Sequence, residues 1–246
     1  MKCKLVAVEY LNTLPYIYGL EQHPSLLDLE IILAPPAECA RLLKTDPDLD
    51  LALIPVGSFS DFDELYVLDG FGIACDGPVD SVCVYSNKNW NQVYQISLDP
   101  FSRTSNLLLQ LLLDQQLFPN PIQVVLSSSD YDAKLVIGDE ALKNNSIFSY
   151  RKDLGEEWKK YTGFPFVFAC WASQKKLNQE LITELKQLFQ KGINSLTQMI
   201  YEKNLSPIQA NYLQTNIHYR LDEHKKQGLS RFLKLIQNQT KIHWLQ

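Results

Sequence analysis

Four short stretches of this 246-residue chain hold side chains able to bind, or act on, a small anion. Tyr10-Leu11-Asn12-Thr13 follows the apolar run Leu5-Val6-Ala7-Val8 and leads into a helix with Pro15 in its first turn. Free amides at a helix start, joined by the Asn12 and Thr13 side chains, make an anion site, although the same residues also serve as ordinary caps. Ser102-Arg103-Thr104-Ser105 repeats the arrangement with three hydroxyls and a guanidinium. That exceeds what one cap needs, and two such donor sets facing each other suit a small dicarboxylate. Ile137-Gly138-Asp139-Glu140-Ala141-Leu142 places two adjacent carboxylates where a strand hands over to a helix. Asp139 is the candidate acid or base there; capping, or pairing with Arg103 or a backbone amide, stands beside that role. Ser81 and Ser86 bracket an apolar run and are candidate hinge donors. Phe164, Phe166, Phe168 and Trp171 alternate along a strand and serve two faces, mostly as core.

Other chemistry has no residues to support it. The chain has no dinucleotide glycine fingerprint, P-loop, Gly-x-Ser-x-Gly or His-Glu-x-x-His. His23, His218, His224 and His243 all fall outside the stretches above. Neither a metal, nor a cofactor, nor a catalytic histidine is expected.

These stretches need elements to hold them. Leu5–Val8, Glu30–Leu33 and Leu51–Pro55 are apolar strand runs separated by helical patterns, the second opened by Pro35-Pro36. Strand, helix, strand at this spacing predicts a parallel α/β sheet with right-handed crossovers. A strand pair, Leu65–Leu68 and Gly72–Cys75, and the run Ser81–Tyr85 follow. Gln95–Leu98, a helix from Ser102, Val124–Leu126 and Leu135–Ile137 then make a second, smaller α/β unit. Residues 178–203 carry one apolar stripe from Leu181 to Ile200 and predict a single helix. Ser206-Pro207 caps another, Ile217, Tyr219 and Leu221 alternate like a short strand, and Leu229 to Ile236 forms a last helix. The expected architecture is two α/β lobes, 1–85 with 169–246 and an inserted 86–168. The chain is expected to cross between them at 82–86 and 166–171, with a ligand cleft between the lobes.

Composition sets the outer limits. Hydrophobic residues make up 46% and charged residues 21%, ordinary for a globular chain and too apolar for disorder. No apolar stretch reaches the roughly 18–20 residues that a membrane-spanning helix needs, and the longest candidate is Gly163–Ala172. The run after Lys4 stops at Glu9, short of a secretory segment, so a cytoplasmic location is expected. Cys3, Cys39, Cys75, Cys83 and Cys170 are odd in number, widely spaced and expected to be reduced. Residues 1–172 hold 12 Lys/Arg against 23 Asp/Glu, and 173–246 hold 11 against 5. The basic third lies on the polar faces of amphipathic helices, and the acidic remainder of the chain repels phosphate, so nucleic acid is not an expected partner. No obligate protein partner is indicated.

Read together, the motifs resemble the chorismate dehydratase family of menaquinone biosynthesis. Tyr10-Leu11-Asn12-Thr13, Asp50-Leu51-Ala52-Leu53-Ile54-Pro55-Val56 and Gly77-Pro78-Val79-x-Ser81-Val82 carry the first part. Leu98-Asp99-x-x-Ser102-Arg103-Thr104-Ser105 and Ile137-Gly138-Asp139-Glu140-Ala141-Leu142 carry the middle. Asp153-Leu154-Gly155-x-Glu157-Trp158, Thr162-Gly163-x-Pro165-Phe166-Val167-Phe168-Ala169-x-Trp171, Tyr219-x-Leu221 and Gly228-Leu229-x-x-Phe232 complete it, in order through nearly the whole chain. The departures, Glu9 and Cys170, are minor.

The resemblance implies a type II periplasmic-binding-protein-like fold used as a cofactor-free lyase. It implies dehydration of chorismate to 3-[(1-carboxyvinyl)oxy]benzoate, on the futalosine route. Under it, Asn12 and Thr13 hold one substrate carboxylate; Ser102, Thr104 and Ser105 hold the other, with Ser86 adding a hinge donor. Asp139, or the substrate's own enolpyruvyl carboxylate, handles the proton. The alternatives are a non-catalytic binding protein for a small carboxylate and the sister 1,4-dihydroxy-6-naphthoate synthase, which is expected to use a cleft histidine.

Overall fold

The computed structural model describes residues 2–22, 27–126, 130–144 and 147–246; His23 lies outside them. The apolar runs of the first third become strands β1 (Lys2–Val8), β2 (Asp28–Ala34) and β3 (Leu51–Pro55), with helices α1 (Leu14–Gln22) and α2 (Pro36–Thr45) between them. β1 pairs in parallel with both β2 and β3, as strand–helix–strand connections require. All five residues of β3 are buried, the mark of a strand covered on both faces.

The sheet is completed by β4 (Glu64–Cys75), β10 (Phe166–Ser173), β11 (His218–Arg220) and β12 (Lys241–Leu245). Its order is β11-β4-β10-β3-β1-β2, with β12 also on β4. The expected strand pair 65–68 and 72–75 is a single strand: Gly70, at φ 88°, and register shifts against β10 bend β4 without ending it.

The second sheet holds β5 (Val82–Ser86), β6 (Gln95–Leu98), β7 (Gln123–Leu126), β8 (Ala133–Ile137) and β9 (Tyr150–Asp153), in the order β7-β6-β8-β5-β9. Around it lie α3 (Arg103–Asp114), α4 (Gly138–Asn144) and α5 (Leu154–Thr162). The chain does not cross between the lobes at 82–86 or 166–171. Each of those strands lies wholly in one sheet, and the crossings are the segments 76–81 and 163–165. The sheets therefore divide the lobes a few residues before positions 85 and 168.

Asp153 fixes the hinge. One of its carboxylate oxygens caps α5 through the amides of Gly155 and Glu156; together the two oxygens also take the amides of Val79 and Asp80 from the first crossing. The core is continuous from one lobe to the other, running from Leu5 and Leu53 to Val84 and Leu108.

The remaining helices are α6 (Gln179–Asn194), α7 (Leu196–Glu202), α8 (Pro207–Asn211) and α9 (Glu223–Leu235). The single helix expected over 178–203 breaks at Ser195, whose ψ of 11° departs from helical geometry. α6 crosses α1 where Gly19 meets Gly192. A Cβ on Gly192 would lie 1.9 Å from the Pro15 carbonyl, so only glycine permits that approach.

Candidate active site

The loop after β1 does not cap a helix with Asn12 and Thr13, as their spacing suggests. Tyr10 precedes a single turn of 3-10 helix, Leu11–Thr13, and α1 starts at Leu14. That turn frees both side chains from capping: Asn12 Nδ2 donates to Tyr212 Oη at 3.1 Å, and Thr13 Oγ1 donates to Asn12 Oδ1 at 3.4 Å. Asn12 faces a space between the lobes. Thr13 is buried behind it and orients it.

The second lobe supplies the start of α3. Ser102 is its N-cap and accepts the Ser105 amide at 3.3 Å, while its hydroxyl donates to Ser105 Oγ at 2.7 Å. One residue thus spends its side chain on capping, and the hydroxyl proton of Ser105 stays free for another acceptor. Thr104 Oγ1 accepts the Gly57 amide from the first lobe at 2.9 Å and likewise keeps its proton. Ser102, Thr104 and Ser105 all line the cavity opposite Asn12. The partial positive charge of a twelve-residue helix start adds to these donors.

Apolar walls enclose the donors. Val8, Leu53, Ile73, Val82, Ile137 and Phe168 line the cavity, and among the described residues no charged side chain does. Tyr10 is the one titratable lining residue, and burial pushes its phenol up to about 12, so it stays neutral. An anion here meets neutral donors set against apolar walls, where a hydrogen bond is stronger than in bulk water.

The lobes are in contact across this space. Asp139 Oδ1 accepts the Leu11 amide at 3.2 Å, and Arg103 pairs with Asp61 at 2.6 Å and Ser60 at 3.0 Å. Arg103 is therefore a seam residue and not Asp139's partner. Asp139 sits at the seam and its neighbour Gly138 lines the cavity, against the ring of Tyr10. Burial raises the Asp139 carboxyl above the usual carboxylate range, partly offset by the Leu11 amide.

Ser86, expected to add a hinge donor, does not line the cavity. It ends β5 opposite Ala133 and Tyr150, whereas the cavity lies at the other end of that strand, where Val82 pairs with Ile137. Its hydroxyl bonds to the Asp132 carbonyl and accepts the Lys88 amide. Ser81, the other bracketing serine, takes the hinge position and lines the cavity. The sequence reading also missed Tyr10 and Tyr212. Tyr10 stands inside a quoted motif; Tyr212 has no local mark to separate it from core tyrosines. His218, His224 and His243 stay outside the cavity.

Comparison with known proteins adds to this geometry. The sequence model of the family described as menaquinone biosynthesis matches residues 3–238. A chorismate dehydratase of Thermus thermophilus is 24% identical, the alignment covering 90% of this chain and 95% of that protein. Among solved structures, an Archaeoglobus fulgidus protein superimposes with a TM-score of 0.75 at 15% identity, covering 96% of this chain and 97% of the other. A Candida albicans protein with the generic periplasmic-binding-protein fold gives 0.61 at 14% identity, covering 100% and 98%. The fold is thus the two-lobed periplasmic-binding-protein type.

Proposed function

The chain belongs to the menaquinone-biosynthesis family, and from that premise we propose that it is a chorismate dehydratase. It eliminates water from chorismate to give 3-[(1-carboxyvinyl)oxy]benzoate on the futalosine route. The observation that carries this reading is the pairing of neutral donors from both lobes, Asn12 against Thr104 and the Ser102-oriented Ser105, across an otherwise apolar cavity. Chorismate is a small dicarboxylate, with one anionic group for each donor set. Kinship with the Thermus dehydratase supports the lyase over a transport-type binding protein. A cavity without histidine, among the described residues, weighs against the sister naphthoate synthase.

The reaction removes a ring proton and the adjacent hydroxyl, which leaves as water, and aromatisation drives it. The protein has to hold the dianion, exclude solvent and guide the proton. The ring carboxylate and diene spread the negative charge that develops as the proton departs. The substrate's enolpyruvyl carboxylate is the base in this proposal. The support is that Tyr10, the only titratable lining residue among those described, stays protonated, and that an oxygen of Asp139 is engaged with Leu11. Asp139 then serves to close the lobes. The five cysteines, all free, fit a reducing, cytoplasmic setting. No helix among the described residues is long and apolar enough to cross a membrane.

The test is direct. Purified protein incubated with chorismate should release an aromatic product lighter by one water. Binding of chorismate without turnover would favour the solute-binding alternative and sink the enzyme reading.

A further inference from the structure

One enclosed side chain joins two residues of the cavity wall without lining the cavity itself. Tyr212 opens the turn Tyr212–Asn216 that follows α8 and is buried. Its hydroxyl accepts from Asn12 Nδ2 at 3.1 Å and donates to Ser81 Oγ at 2.9 Å. Asn12 belongs to the first-lobe loop and Ser81 to the crossing segment, so one phenol couples the donor loop to the hinge.

The count of protons gives this bridge its consequence. A hydroxyl has one proton to give and two lone pairs. Tyr212 gives its proton to Ser81, so Ser81 accepts there and its own proton is unspent; no described residue accepts it. Asn12 spends one N–H on Tyr212 and likewise keeps the other. Both unspent donors belong to residues that line the cavity. Burial raises the Tyr212 phenol far above its ordinary value, so it remains a donor throughout any working pH.

We propose that Tyr212 is a positioning residue for the dehydration: it fixes Asn12 and Ser81 so that each presents a free donor to the substrate. This rests on the chorismate reading above. The competing role is a plain structural pin for the turn. That turn has an independent anchor, since Asn216 Nδ2 donates to the Pro78 carbonyl at 3.1 Å. Removing the Tyr212 hydroxyl therefore leaves the turn attached.

The experiment is Tyr212→Phe, alone and combined with Ser81→Ala. Tyr212→Phe is expected to lower kcat about tenfold or more with KM little changed, because an orienting defect is felt at the reacting geometry. The combined variant should lose less than the product of the two single losses, since both changes act on one unit. Unchanged kcat in Tyr212→Phe, or losses that simply multiply, overturns the proposal. If Tyr212→Phe does not fold, a ring-fluorinated tyrosine at 212 keeps the shape but strengthens the donor; kcat must then change, and a constant kcat overturns the proposal. If the wild-type protein does not convert chorismate, the chorismate reading fails separately. The side-chain amide NMR signal of Asn12 then decides: a shift in Tyr212→Phe upholds the bridge, and an unmoved signal refutes it.

Discussion

Asp139 has two possible roles, and one substitution separates them. As a base it would make Asp139→Asn lose about 10²–10⁴ in kcat. As a lobe contact it would lose less than about tenfold, because the Asn carbonyl still accepts the Leu11 amide; the cavity lining favours the second outcome, and steady-state kinetics checks it. Stability gives a separate test. The folded pKa of Asp139 is raised by burial above its unfolded value. Its contribution is therefore most favourable at low pH and declines as pH rises through the raised value. Asp139→Asn should thus have a higher Tm than wild type at about pH 7 and no such gain at about pH 3, where both states are protonated. The two serines of α3 should also part. Ser102→Ala loses a cap worth about 1 kcal/mol as well as substrate affinity. Ser105→Ala keeps the cap but removes the acceptor of the Ser102 hydroxyl, so it lowers Tm modestly while raising KM, as calorimetry beside kinetics will show. Donors clustered at a helix start were readable because they exceed capping demand. Ser86 misled because a strand's sequence does not say which of its ends meets the cleft. Tyr212 was invisible because its partners lie 200 and 131 residues away.

At the scale of elements, the α1–α6 crossing is the least forgiving contact. Cβ atoms on Gly19 and Gly192 would fall 2.2 and 1.9 Å from carbonyl oxygens of the opposite helix. Gly192→Ala must push the helices apart and should cost roughly 1–3 kcal/mol or more, the range of overpacked cores. Thermal unfolding will register this as a loss of several degrees. The stripe of α6 and the strands β1 and β3 were legible because their apolar periods are unbroken. β9 reads Tyr-Arg-Lys-Asp and β12 begins with Lys241, and both lie at or beside a sheet edge, where polar residues are tolerated. Neither carries a pattern that marks a strand. The break at Ser195 was hidden because its neighbours continue the apolar stripe.

For the whole molecule, closure is the property most open to test. Gly57 lies so near α3 that an added Cβ would stand 2.9 Å from the Thr104 backbone. Gly57→Ala acts as a wedge at the seam and leaves each lobe's own packing alone. Its kcat/KM for chorismate should fall at least about tenfold, since misplacement by about an ångström can cost a hundredfold. Small-angle scattering should show a larger radius, and an unchanged radius with full activity would refute the wedge. Two lobes and a cleft were legible in the restart of the strand–helix pattern. The crossing points were not, because crossing segments and edge strands share the same mixed composition.

The place of β10 between β3 and β4 sets an order of events during synthesis. Both neighbours leave the ribosome early, each with a bare, apolar edge, and their common partner follows only after the whole inserted lobe has been made. Until then the nascent chain carries bare borders on β3 and β4, the kind that recruit other chains. The inserted lobe is continuous in sequence, and its sheet pairs β5 near one end with β9 near the other. By drawing its own two ends together, it delivers the late strand to its slot. Substitutions that slow that lobe should therefore reduce soluble yield more than they reduce the stability of the finished protein.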